Sequence, residues 1–447
     1  MRTFVLLILL AFLFVANSLF AQTNDTITKV KRHSFVPLPA VSFDSDLGFQ
    51  YGLLGSYNYY GDGSVYPDYK MNIYGEWSRY TKGSGTNQLF LDSKYIMPFG
   101  IRVTADFSLL TEKALDFYGF NGFEAAYHPE YEDDDENNPE YISRMFYRVE
   151  RRLIRLSADF QKPLSNKNLR GLIGYGFFKN EIGVVDINKM NEGLDEADKL
   201  PAVDGLYQRY VNWGIINAEE ANGGSINSIK LGLVYDTRDY EPDPQKGLWA
   251  EALVMTAPSF LGNDEAAYTK LALIFRHYVP IVQKKLLFAY RLGWQGTIDG
   301  EAPFYMQSYM VTSNLKVTKN DMLGGAKSLR GILRNRVVGD AVLYANLELR
   351  YRVLQTRVAG TELGITVSAF NDFGKVTNPI EINPALLPGP VPLTDYFDQQ
   401  KDGLHYSYGL GVHFDIARNL LLTVNYGLAS DKRDGDSGLY IGIGFLF

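Results

Sequence analysis

The sequence predicts an all-β fold, a transmembrane antiparallel β-barrel of about sixteen strands, and three observations carry that expectation. The first is alternation sustained over ten or more residues. From Ala341 to Val353, apart from Val342, one face carries Leu343, Ala345, Leu347, Leu349, Tyr351 and Val353, and the other Tyr344, Asn346, Glu348, Arg350 and Arg352. A soluble sandwich would bury the apolar face, whereas a membrane barrel turns it to lipid and lines its lumen with the charged one. Strands of soluble proteins run to about five or six residues, so rows this long suit a membrane wall better. The second observation is parity. From the fourth strand onward short and longer connections broadly alternate, as periplasmic turns and external loops do, and an even strand count returns both termini to the periplasmic side. The third is that no run of about twenty apolar residues follows Gln22, which leaves strands as the means of crossing a membrane.

Taken in order, residues 1–21 read as a cleaved secretory signal peptide. Arg2 supplies the positive start, Val5 to Val15 the apolar run, and Ala21 the small residue before the cut. Residues 22–34 form a short polar periplasmic lead-in, and 35–447 the barrel. Strand candidates fall at 35–44, 47–60, 68–79, 88–97, 101–110, 141–160, 169–179 and 226–236. They continue at 247–256, 267–279, 285–296, 341–353, 361–370, 404–414, 420–428 and 438–447. The pattern is cleanest late in the chain. Leu286, Phe288, Tyr290, Leu292 and Trp294 oppose Ala289, Arg291, Gly293 and Gln295, and Leu439, Ile441, Ile443, Phe445 and Phe447 oppose Gly438, Tyr440, Gly442 and Gly444.

Composition removes several function classes. The 447 residues include 31 Tyr and 42 Gly and no cysteine, with a formal charge of −7. Absence of cysteine excludes disulfides, thiol catalysis and thiolate metal sites. Mild acidity without a basic stripe argues against a nucleic-acid partner. The acidic run Asp133 to Glu136 lacks the ligand spacing of a calcium loop and reads as a solvated external loop. His405 and His413 share a polar strand face but stand about 25 Å apart, too far to hold one ion. No nucleophile elbow or phosphate-binding glycine loop is present, so the reading is of a non-enzyme without cofactor or metal.

The barrel ends carry a further expectation. Pro37 and Pro39 lack N–H donors and suit a strand edge, while Gly438, Gly442 and Gly444 weaken the last strand. The seam that joins first and last strands should therefore hold fewer or softer hydrogen bonds than other pairs.

Several motifs resemble one superfamily, the outer-membrane surface-antigen family of BamA, TamA and the two-partner-secretion transporters. The run from Val234 to Ala252, with Asp236-Thr-Arg-Asp239 and Lys246-Gly247 around a proline-containing segment, is similar to that family's characteristic turn. Ser328-Leu-Arg-Gly-Ile332 resembles its Val-Arg-Gly-Phe/Tyr loop, with Leu329 and Ile332 departing from it. Glu348-Leu-Arg350 resembles the next-strand motif, Phe370-Asn-Asp-Phe-Gly374 the Phe-x-Asp-x-Gly motif, and Phe447, with Phe445, the terminal aromatic assembly signal. The resemblance implies that the loop folds into the lumen and is clamped there through Arg330, Gly331, Glu348, Asp372 and Gly374. It implies a barrel in the outer membrane, inserted by the barrel assembly machinery, that meets outer-membrane lipid and assists insertion or translocation of polypeptide substrates. An alternative is a structural or recruiting subunit for other outer-membrane or periplasmic proteins, and a third is a passive pore. Larger members carry periplasmic polypeptide-binding domains, for which this sequence leaves no room ahead of the barrel.

Overall fold

The computed structural model describes residues 32–447 except 67, 265, 318–320, 359–360, 384–394, 399 and 417–419. The expected signal peptide and the lead-in up to residue 31 lie outside the described residues. The strand segments are β1 (His33–Pro39), β2 (Ser42–Asp44), β3 (Gly48–Tyr59), β4 (Met71–Tyr80), β5 (Ser84–Ser93) and β6 (Arg102–Asp116). There follow β7 (Arg148–Pro163), β8 (Leu169–Gly183), β9 (Gly223–Asp236), β10 (Gly247–Ala257), β11 (Tyr268–Val282) and β12 (Leu286–Gly300). The last five are β13 (Ala341–Val358), β14 (Thr361–Asn378), β15 (His405–Ile416), β16 (Leu420–Ala429) and β17 (Ser437–Ile443).

β1 and β2 pair with β3 in one unbroken register, Pro39 opposite Leu53 and Ser42 opposite Gln50. They are two parts of one strand interrupted at Ala40 and Val41, and the wall therefore has sixteen strands. Each strand pairs antiparallel with the next, and β17 returns to β2 to close the ring. Closure pairs every strand on both sides except β1, whose seam side has no ladder partner.

The wall is inside-out relative to a soluble protein. Leu343, Leu349, Val353 and Leu410 are 48, 41, 57 and 68 % exposed, whereas Arg155, Lys270, Glu348 and Asp372 are at or below 1 %. An exposed apolar belt of this kind is unfavourable in water and stable against acyl chains. Among the described residues no helix is long and apolar enough to cross a membrane.

The expected strands all occur, with boundary shifts that have local causes. β5 spans 84–93, not 88–97, because Lys94 to Gly100 turns back at the short-turn end. β7 begins at Arg148; the expected segment 141–147 instead lies in a loop, where Phe146 and Tyr147 are buried. β13 runs five residues past Val353, since a register shift between Arg352 and Leu354 breaks the alternation while pairing continues. β17 ends at Ile443, so Phe445 and Phe447 do not continue the lipid-facing row.

Taking the long-loop side as external, the loops 117–147 and 184–222 form a roof with residues 379–383, 395–398 and 400–404. Its core joins Tyr118, Phe146, Tyr147, Tyr207, Tyr210 and Tyr396 to Leu323, Leu329 and Ile332 of the loop 301–340. Arg209 lies across both Phe146 and Tyr396, 5.3 Å from each ring centre.

Candidate functional site: the lumenal loop and the closing seam

The loop between β12 and β13 enters the barrel because the wall offers it buried partners at several heights. Lys270 Nζ donates to the carbonyls of Met306 and Gln307 at 3.0 and 3.2 Å. Glu251 accepts from Thr312 Oγ1 and the Ser313 amide at 2.9 and 3.1 Å. Arg334 pairs with Glu112 and with Asp321, the latter at 2.7 Å. Arg336 donates to the carbonyls of Gly122, Ala125 and Arg433, tying the loop to the roof.

At the loop tip the structure brings together the five residues named for the clamp. Arg330 Nε and Nη2 donate to the two Asp372 carboxylate oxygens at 2.9 and 3.0 Å, and the Arg330 amide donates to Asp372 Oδ2 at 3.0 Å. This is the planar two-point match that guanidinium offers a carboxylate and ammonium does not. Glu348 Oε1 lies 3.7 Å from Arg330 Nη1, and the guanidinium covers the Phe370 ring at 3.5 Å. Gly331 adopts φ +93°, and a Cβ there would stand 2.6 Å from the Gly427 backbone. Only glycine combines that conformation with so close an approach to β16. A Cβ on Gly374 would stand 2.6 Å from Leu329 Cδ1, so that glycine is the seat of the leucine.

Sequence reasoning missed four members of this arrangement. Asn346 Nδ2 donates to Asp372 Oδ1 and to the Ser328 carbonyl at 2.8 and 2.7 Å. Tyr440 accepts from the Gly331 amide at 3.1 Å, Phe370 is the stacking face, and Gly427 the docking surface. Asn346 lies two residues from Glu348 on the lumen face, a signal that could have found it.

The seam is thin. β17 pairs with β2 only through Tyr440 opposite Asp44 and Ile441 opposite Phe43, whereas β16 and β17 pair over seven positions. Ser45 adds three bonds at Leu439: its amide and its hydroxyl donate to the Leu439 carbonyl at 3.1 and 3.2 Å, and its hydroxyl accepts from the Leu439 amide at 2.7 Å. The backbone explains the early stop. The Ala40 amide donates to Gly52, so even-numbered residues of β1 face β3, and the Ser45 bond shows that odd-numbered ones face the seam. Pro37 and Pro39 are odd. Continuing the β2–β17 register would set Phe445 opposite Pro39 and Phe447 opposite Pro37, where no N–H is available to either. The chain leaves the wall instead at Gly444, φ +83°. Among the seam glycines, Gly438 makes room for the Tyr440 ring, while Gly442 has nothing within 4 Å of a would-be Cβ.

Inside, Phe445 lies under the Arg350 guanidinium at 3.7 Å and beside His413 at 4.8 Å. Phe447 is 6 % exposed, packed with Tyr278, Leu287 and Ala289.

The turn 237–246 crosses the opposite mouth. Asp236 holds Arg238 through both carboxylate oxygens, and Trp249 is covered by Arg238 and Arg276 at 5.2 and 3.9 Å. From this turn Glu241 reaches Lys94 and Arg102 at 2.6 and 2.8 Å, and Asp243 reaches Arg352 at 3.2 Å. Burial pushes the Glu241 carboxyl up, but Arg102, Lys94 and Arg238 outweigh it and hold it well below the usual carboxylate range. Among the described residues no cluster could hold a metal ion.

Comparison with known proteins bears on the family and the barrel fold. Residues 81–447 match the Omp85 superfamily domain. The fold is similar to BamA from Haemophilus ducreyi lacking POTRA domains 1-3, with TM-score 0.52 and 15 % identity over 93 % of this chain and 70 % of that one. It is also similar to CdiB from Escherichia coli, with TM-score 0.50 and 11 % identity over 94 % of this chain and 64 % of that one, so the chain spans less than two thirds of that protein's length. No curated protein matches. With more than four fifths of its length matched and a closed sixteen-strand barrel around it, the chain belongs to the Omp85 superfamily of outer-membrane β-barrels.

Proposed function

We propose that this barrel assists the insertion of polypeptides into the outer membrane by way of its seam, in preference to passing them outward through its lumen. The observation that carries the reading is a contrast of strengths. The lumen is filled by a loop held through buried charge pairs, and the external mouth is roofed by an aromatic core. Removing one partner of a buried pair costs about 3–5 kcal/mol. The seam, by comparison, rests on two paired positions and the Ser45–Leu439 bonds beside them, and a net hydrogen bond contributes about 0.5–1.5 kcal/mol. The seam is the wall's weakest junction.

The test uses the absence of native cysteine. In the β2–β17 register Val41 falls opposite Ile443, and hydrogen-bonded partners stand about 5.5 Å apart at Cα, within disulfide reach. Depletion of the protein should lower the amounts of particular outer-membrane proteins. Re-supply of a Val41→Cys/Ile443→Cys chain should restore them only while the bridge is reduced. Restoration by the oxidised form removes lateral opening. An unchanged inventory on depletion favours the structural or recruiting role, and large steady conductance in planar bilayers favours the pore.

A further inference from the structure

The segment after β17 lies inside the wall with its two aromatic rings against arginine side chains. Phe445 and Phe447 together contact two buried arginines: Phe445 lies 3.7 Å from Arg350, and Phe447 lies 5.5 Å from Arg350 and 5.4 Å from Arg291. Arg291 is fully engaged with Asn346 and the Lys327 carbonyl. Arg350 is not. Its Nη2 donates to Glu348 and to the Phe447 carbonyl at 3.0 and 3.3 Å, but Nε and Nη1 are buried with no hydrogen-bond partner among the described residues. The Tyr278 hydroxyl, against Phe447, is likewise buried without one. Buried donors left unpaired cost stability unless something else uses them.

Beside this cradle opens a hollow of about 260 Å³ at the short-turn mouth, floored by Phe445. Lys246, Lys284, Lys285, Arg350 and Arg352 line it. Its two carboxylates are already committed, Asp243 to Arg352 at 3.2 Å and Asp239 to the Gln245 amide at 2.9 Å. The hollow is therefore cationic, with an aromatic–arginine floor.

We propose that this cradle and hollow form a binding site for an acidic, phenylalanine-bearing segment of an incoming polypeptide, and that the chain's own Phe445 and Phe447 are the occupant it displaces. Carboxylates of such a segment meet the lysines and the unpaired Arg350 nitrogens, and its rings take the guanidinium faces. The displaced residues regain at most half of the ladder bonds on β1, since the residues opposite them, Pro39 and Pro37, offer carbonyls but no N–H. The exchange rests on the polypeptide-handling reading above and names the class of substrate it takes.

The test is fluorescence anisotropy of a short labelled peptide of alternating glutamate and phenylalanine on the full chain in lipid nanodiscs. A Phe445→Ala/Phe447→Ala chain, freed of its own occupant, should bind it about tenfold tighter than the wild type, the size of one desolvated cation–π contact. Peptides with leucine for phenylalanine, or lysine for glutamate, should bind at least about tenfold more weakly. Arg350→Gln should abolish the gain. Because Arg350 is buried and that variant can fail to fold, Lys284→Glu/Lys285→Glu in the exposed turn serves as the second, with the same direction expected. Equal binding by wild type and the double alanine chain, or by the leucine peptide, overturns the site while leaving the depletion result untouched. An unchanged outer-membrane inventory alongside tight peptide binding overturns the polypeptide-handling reading and not the site.

Discussion

Arg330 shows what a single side chain does in this lumen. Its guanidinium uses two edges on Asp372, one face on Phe370, and its own backbone amide on the same carboxylate. Lysine would keep the charge and lose the fork, the stacking plane and the fixed donor spacing. Arg330→Lys should therefore lower the temperature at which the folded barrel loses its fast gel mobility by most of what Arg330→Ala does, with a cost of about 3–5 kcal/mol for the alanine. Thermal gel-shift of the two variants against wild type checks this, and equal heat resistance of all three would remove the clamp. Gly374→Ala belongs with them, because its methyl group displaces Leu329.

Strands were legible to the extent that their two faces differ. Leu286 to Trp294 and Leu404 to Phe414 alternate without interruption, and the structure starts those strands within one residue of the expected positions while ending them four and two residues later. Where a bulge reverses parity, as at Val353, alternation stops before pairing does. Where a loop is itself apolar, as from Tyr141 to Tyr147, it imitates a strand; the burial of Phe146 and Tyr147 under other loops has no sequence signature of its own. Glu348 and Asp372, which the structure places beside Arg330, could be read because they lie on polar strand faces. The course of Phe445 and Phe447 could not, because it depends on which neighbour faces them across the ring. That dependence can be tested. Replacing Pro37 and Pro39 by valine restores two seam-facing donors, so residues 444–447 should pair with β1. Hydrogen exchange at positions 35–41 should slow, and heat resistance should rise by about 1–3 kcal/mol for two added backbone bonds. Unchanged exchange would mean that the cradle around Arg350, and not the missing donors, draws the segment inward.

Across the whole molecule, the turn 237–246 ties distant parts of one mouth together, through Glu241 to Lys94 and Arg102 and through Asp243 to Arg352. The sign of its pH dependence follows from Glu241. Its carboxyl is held below the usual range in the folded state, so its contribution is complete above the unfolded value and fades as pH falls through the depressed one. Heat resistance should be level from about pH 6 to 8 and decline below about pH 4. Glu241→Gln should lower the neutral-pH value and flatten the acid decline. A titration of gel-shift temperature for both chains measures it, and identical acid slopes would detach the turn from this role.

The two prolines also govern how copies of the molecule meet in a crowded bilayer. A ring with one loosely fastened joint invites a neighbour to zip alongside and merge two cylinders into one wider, leaky hoop. Pro37 and Pro39 withhold their N–H groups from such a neighbour along the seam side of β1, which favours separate cylinders even while the joint is slack.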